Sequence, residues 1–176
     1  MAQSIVEAAT AFAHKYDRTM RSYNDQPLED FATALSAFYN QKSFTNFYNG
    51  STTVITDVAT TIRSLSHHLS CMEKRGIGFC LTMEKLHVDP VSDGSALCRI
   101  TWKLTPKNAI EPWTFDNIYG YRRTSLEANG SGEHGVESKE TNGAVKEQRP
   151  DGVWEFVVAD NDISSTLQRV PNLYQL

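Results

Sequence analysis

The sequence predicts an α+β protein whose N-terminal helices pack on a strongly curved antiparallel sheet. Two observations carry this. Up to about residue 76 the apolar residues recur at steps of three and four, the spacing of one helix face. Beyond Gly76 the period changes to two, the spacing of strands with one buried face. Helices first and strands afterwards is the order of a layered α+β domain rather than of alternating βαβ units. A single domain over residues 1–176 is expected, because that length suits one core.

The first helix is read from Ile5, Ala9, Phe12, Tyr16, Met20 and Tyr23, over residues 3–23. Asn24-Asp25-Gln26-Pro27 breaks it, and Pro27 suits the first turn of a second helix carrying Leu28, Phe31, Leu35 and Phe38. SFTNFYNGS, closed by Asn-Gly, reads as a brief strand and turn. Thr56-Asp57 caps a third helix with Val58, Ile62, Leu65 and Leu69 inward, ending near Gly76.

In the second half, Ile77, Phe79, Leu81 and Met83 share one face. The apolar phase then shifts to Leu86 and Val88, the mark of a bulge in a long strand. Cys98, Ile100, Trp102 and Leu104 alternate with polar residues. WTFDNIYGYRR (113–123) places Trp113, Phe115, Asn117, Tyr119 and Tyr121 on one face. Residues 127–149 hold almost no large apolar group and are expected to form an exposed loop between two strands. In GVWEFVVADNDI, Trp154, Phe156, Val158 and Asp160 alternate onto one face, and Asn161 or Asp162 is expected to cap a short helix opening at Ile163.

Composition excludes several function classes. With 17 Lys and Arg against 21 Asp and Glu, the chain lacks the basic excess of a nucleic-acid-binding surface. No apolar run approaches the ~20 residues of a membrane span, and the N-terminus lacks a basic segment followed by an apolar core. Three cysteines without CxxC spacing fit reduced thiols, so a cytoplasmic protein is expected, in which the Asn49 and Asn129 glycosylation patterns stay unused.

A sheet that curls around the first helix leaves an internal pocket lined by large aromatics and a few polar groups, the usual make-up of a small-molecule site. Asp17 borders the apolar stripe of the first helix, and a carboxylate beside a dry pocket suits proton transfer; its other reading is a solvated side chain beside Lys15 and Arg18. His68, near Leu65 and Leu69, is a second candidate base. Tyr16, Tyr48, Asn117, Trp102, Tyr119 and Phe156 are the candidate ligand-binding residues, with Asn117 distinguished as an amide among aromatics that needs partners if buried. His67 and Cys71 lie one turn apart without a third ligand, so no metal site is expected. No cofactor is implied: neither a phosphate-binding glycine loop nor a dinucleotide fingerprint occurs.

The order of elements, with DNIYGYRR, the polar stretch and then GVWEF, resembles the nuclear transport factor two-like (SnoaL-like) superfamily. It is a cone-shaped fold whose members include ketosteroid isomerase, polyketide cyclases, scytalone dehydratase and non-catalytic binding proteins. Locally the closing hairpin and Tyr16-Asp17 are similar to scytalone dehydratase, Tyr48 falls near a substrate-facing tyrosine, and Asn117 matches a pocket asparagine. Two departures stand out. Where that enzyme carries catalytic histidines this chain has the regions of Gly78-Phe79 and Thr101-Trp102, and the turn holding the isomerase's aspartate reads Phe47-Tyr48-Asn49-Gly50. The resemblance implies a homodimer and a cofactor-free isomerase, dehydratase or cyclase for a hydrophobic polyketide- or terpenoid-like ligand. The alternative is a non-catalytic dimerising or ligand-carrying module.

Overall fold

The computed structural model describes residues 3–124 and 151–175; the expected loop at 127–149 lies outside the described residues. Helix α1 spans Ile5–Arg21 and opens on a capping box, in which Glu7 N–H donates to Ser4 Oγ (3.2 Å) and Ser4 N–H donates to Glu7 Oε2 (2.9 Å). It buries Phe12, Tyr16 and Met20 at helical spacing. A 3₁₀ turn (Ser22–Asp25) leads to α2 (Leu28–Ser36), which starts behind Pro27 as its N-cap. Strands β1 (Phe44–Tyr48) and β2 (Ser51–Ile55) form a hairpin through Asn49 and Gly50. Both have positive φ, 49° and 69°, which a two-residue hairpin turn of this hand requires. Helix α3 (Val58–Lys74) is capped by Asp57, whose Oδ1 accepts from Thr60 N–H at 2.7 Å, and it ends at Gly76 with positive φ.

Three strands then run as a meander: β3 (Leu81–Ser92), β4 (Ser95–Leu104) and β5 (Trp113–Arg123). The expected phase shift is a register irregularity between Met83 and Lys85. Residues 77–80, expected to begin that strand, precede it as irregular chain. After the undescribed segment come β6 (Gly152–Val158) and α4 (Asp160–Arg169).

The six strands form one sheet in the order β2-β1-β6-β5-β4-β3. The sheet is mixed, in contrast to the all-antiparallel expectation, because β1 runs parallel to β6, with Thr45 beside Phe156 and Phe47 beside Val158. A second irregularity lies in β6, where Gly120 faces Phe156 but Tyr121 faces Trp154, leaving Glu155 as the extra residue. This bulge inverts the alternation. Trp154 points into the core before it, Val157 and Ala159 point inward after it, and Phe156 turns to the convex face over Gly120. Helix α1 lies across β3, β4 and β5 on the concave side. Among the described residues no helix is long and apolar enough to cross a membrane.

Candidate functional site

Between α1, α3, the concave sheet and the start of α4 lies a cavity of about 470 Å³, within the range of small-molecule sites. Tyr16 and Met20, one turn apart on α1, form one wall, and Leu65 and His68 of α3 form another. The floor comes from the sheet, where Asn46 pairs with Val157 and Val157 with Tyr119, so three neighbouring strands send side chains to the same face. Trp102 and Asn117 join them from β4 and β5.

The polar groups meet at Tyr119. Its hydroxyl accepts from Trp102 Nε1–H (3.2 Å) and from the Asn117 amide Nδ2–H (3.4 Å), and Tyr16 and Tyr39 share a hydrogen bond of 2.5 Å between their hydroxyls. Burial pushes the Tyr39 phenol up to about 12 and raises Tyr16 and Tyr119 as well, so all three keep their O–H at neutral pH. Two buried amide oxygens, Asn46 Oδ1 and Asn117 Oδ1, have no hydrogen-bond partner among the described residues. Such acceptors, lining a cavity, suit a ligand that brings hydroxyl donors.

Beside the tyrosines, a carboxyl and two imidazoles line this space: Asp162, His67 and His68. Burial raises the Asp162 carboxyl from its usual range to about 7, although the Asn117 amide and Thr166 hydroxyl pull the other way. Asp162 also lies in the first turn of α4, where the helix dipole favours the charged form. Desolvation outweighs these effects. The residue is half-buried and keeps contact with the cavity space. His68 moves down to about 4, through burial and then the neighbouring His67. It is therefore neutral at pH 7, with Nδ1 and the Tyr174 hydroxyl at 2.8 Å.

No family model matches the sequence, and no curated protein does. Solved structures do match in fold. An NTF-2-like protein of unknown function from Shewanella oneidensis is 12% identical, covers 85% of this chain and 97% of its own, and superposes with a TM-score of 0.54. Aln2 from a Streptomyces species gives 12%, 92%, 93% and 0.54, and a function-unknown protein from Mycobacterium tuberculosis 9%, 97%, 88% and 0.54. The chain has the nuclear transport factor two-like cone fold. At these identities the likeness is one of fold.

Within the cone, Tyr16, Tyr48, Trp102, Asn117, Tyr119 and His68 all line the cavity, with Tyr48 at its exposed mouth. Asp17 does not. Its Oδ1 accepts from Met83 N–H (2.8 Å) beside the β3 bulge, and its Oδ2 from Arg21 Nε–H (2.9 Å), which ties α1 to the sheet. Asp17→Ala is accordingly expected to lower unfolding stability in urea by about 1–3 kcal/mol, since a backbone donor loses its acceptor; unchanged stability would mean that the tie contributes nothing. Phe156 is also outside the cavity, for the reason given by the bulge. His67 Nε2 and Cys71 Sγ are 3.7 Å apart, but no group of three metal-ligating side chains occurs among the described residues.

Asp162 is the cavity group that sequence reasoning assigned elsewhere, to a helix cap. Helix α4 begins at Asp160, three residues before the expected start, and no side chain caps it. The Asp160-Asn161-Asp162 cluster divides its work. Asp160 Oδ1 accepts from Gly50 N–H (2.8 Å), Asn161 Oδ1 accepts from Asp116 N–H (2.9 Å), and Asp162 turns inward. The signal was present in the sequence as three polar residues ending an apolar strand.

Proposed function

We propose that the cavity binds a hydrophobic small molecule carrying a carbonyl or hydroxyl group, of polyketide or terpenoid type. The reaction is a cofactor-free isomerisation, dehydration or cyclisation. The observation that carries this reading is the convergence of three neutral phenols, an indole N–H and a carboxamide in one largely apolar cavity. Preorganised donors of this kind hold a ligand oxygen and stabilise negative charge that develops on it. Of the rival reading, a non-catalytic dimerising or ligand-carrying module, the purely dimerising form is disfavoured by the space itself, because the aromatics line the cavity without filling it; the carboxyl and imidazole that face in favour chemistry over carriage. A cytoplasmic setting fits Cys71, Cys80 and Cys98 as free thiols. A homodimer fits the convex face, where Leu97 stands exposed and Phe156 lies across Gly120.

The test uses 2-indanone, a bicyclic ketone small enough for the cavity, with binding read from tryptophan fluorescence. The wild type is expected to bind it, and Tyr119→Phe to weaken binding about 5–10-fold by removing one hydrogen bond to the carbonyl network. Equal affinity in the two proteins would remove the phenol cluster from the site.

A further inference from the structure

The cluster at the end of β6 is arranged to aim one carboxyl inward. Asp160 is fixed to the β1–β2 turn through Gly50 N–H, and Asn161 is fixed to β5 through Asp116 N–H. Ala159 N–H donates to Phe47 O at 2.8 Å, closing the same junction from the β1 side. The first turn of α4 is therefore pinned on both flanks. Asp162 is left facing the cavity, with Thr166 Oγ1 at 3.5 Å and the Asn117 carboxamide lining the same space. Asn117 in turn donates to Tyr119, so one amide joins this carboxyl to the phenol cluster. The other atom of that amide, Oδ1, is the buried acceptor with no partner, and a protonated carboxyl needs an acceptor of this kind.

We propose that Asp162 is the catalytic proton carrier of the cavity, taking a proton from the carbon next to a ligand carbonyl and returning it to the same carbon or, where the ligand holds a further C=C bond in conjugation, to the far end of that bond. The inference rests on the reading of the cavity as a ligand site. The step balances without a co-reactant. A carboxylate oxygen forms the new O–H bond, and the C–H electron pair becomes the C=C bond of an enolate. The carbonyl π pair moves onto the oxygen, where the phenols donate to it. Reversal at the same carbon exchanges hydrogen; where the enolate is conjugated with a second C=C bond of the ligand, protonation at the far end of that bond shifts it.

The surroundings suit this role. The titratable groups that line the cavity with Asp162 are Tyr16 of α1, Tyr39 after α2, Tyr48 of β1, His67 and His68 of α3, Tyr119 of β5 and Tyr174 beyond α4. Tyr39, Tyr119, Tyr174 and His68 are uncharged at neutral pH, and no second carboxylate lines the cavity to compete. A group with its pKa near 7 exists in both forms at working pH, which general acid–base catalysis requires.

The experiment follows hydrogen–deuterium exchange at the carbons flanking the 2-indanone carbonyl in D₂O by mass spectrometry, with fluorescence binding measured alongside. The wild type is expected to exceed the buffer rate, and its excess to climb with pH and level off above about 7. Asp162→Asn is expected to bind 2-indanone within about threefold of the wild type and to lose exchange about 100-fold or more. Exchange retained by Asp162→Asn overturns the proposal, as does a wild type that binds the ketone without exchanging it. A wild type that does not bind it overturns the reading of the cavity itself, and this inference with it.

Discussion

At pH 8 the Asp162→Asn variant is expected to unfold at a higher temperature than the wild type, with the gap closing as the pH falls towards 4. The folded carboxyl titrates near 7 and the unfolded one near its usual value, 3.8. Between those values the folded protein binds more protons than the unfolded chain, so stability falls as pH rises, and the loss is complete above about 7. Three pKa units correspond to at most ~4 kcal/mol, and the carboxyl's contact with the cavity space reduces this to about 1–3 kcal/mol. His68 has the opposite sign: depressed from 6.5 to about 4, it makes stability rise with pH across that window. His68 is common to both proteins, so its slope cancels from their difference, and the Asp162 effect is read in full at pH 8, above its folded pKa. Thermal unfolding at pH 4, 6 and 8 decides it. A variant no more stable than the wild type at pH 8 would show that the carboxylate is solvated where it sits. A residue that destabilises its own fold while serving a site is a common trade between stability and activity.

Trp154→Ala is expected to cost about 3–5 kcal/mol in urea unfolding, the largest loss foreseen for any single substitution considered. The indole is fully buried, with ring centroids 4.8 Å from Phe12, 4.9 Å from Tyr119 and 5.8 Å from Tyr16. It joins α1 to the sheet directly beneath the cavity. Its Nε1–H has no acceptor among the described residues, so the cost comes from lost packing and a cavity rather than from a broken hydrogen bond. Trp154→Phe keeps part of the ring stack and should lose less. A loss below about 1 kcal/mol for the alanine variant would mean that helix and sheet are held together elsewhere.

Much of the scaffold was legible because its signals are local. The bounds of β5, Trp113–Arg123, follow directly from alternation. Asn49-Gly50 marked the turn after β1, although not the second strand β2 that follows it, and Asp57 and Gly76 marked the ends of α3. Non-local features were not legible. Nothing in FTNFY says that it lies parallel to a strand more than a hundred residues later. The cavity residues split along the same line. Tyr16, Trp102, Asn117 and Tyr119 sit on elements whose phase is regular, and they face inward as expected. Phe156 did not, because one extra residue in β6 reverses every later side chain and alternation alone cannot locate that insertion. Asp17 borders the buried stripe, and only tertiary contact with Met83 decides which way its carboxylate turns. Asp162 was misplaced because the helix start was set three residues late, a small boundary error that turns a side chain to another side of the helix.

The parallel pairing of β1 with β6 also orders the assembly of the molecule in time. The β1–β2 hairpin has a single neighbour in the sheet, β6, which among the described strands is made after all the others. The β3–β5 meander needs only nearby partners and can form early, whereas the hairpin must wait for a contact of very high sequence separation. The strand that admits it also delivers Trp154 and Val157, and α4 follows with Asp162. A nascent chain that has emerged only as far as Arg123 would thus hold most of the phenols of the pocket as an open, adhesive surface, without the wall that encloses them. Ligand present during synthesis would stabilise the final docking step selectively, because it binds only a cup whose last side has closed.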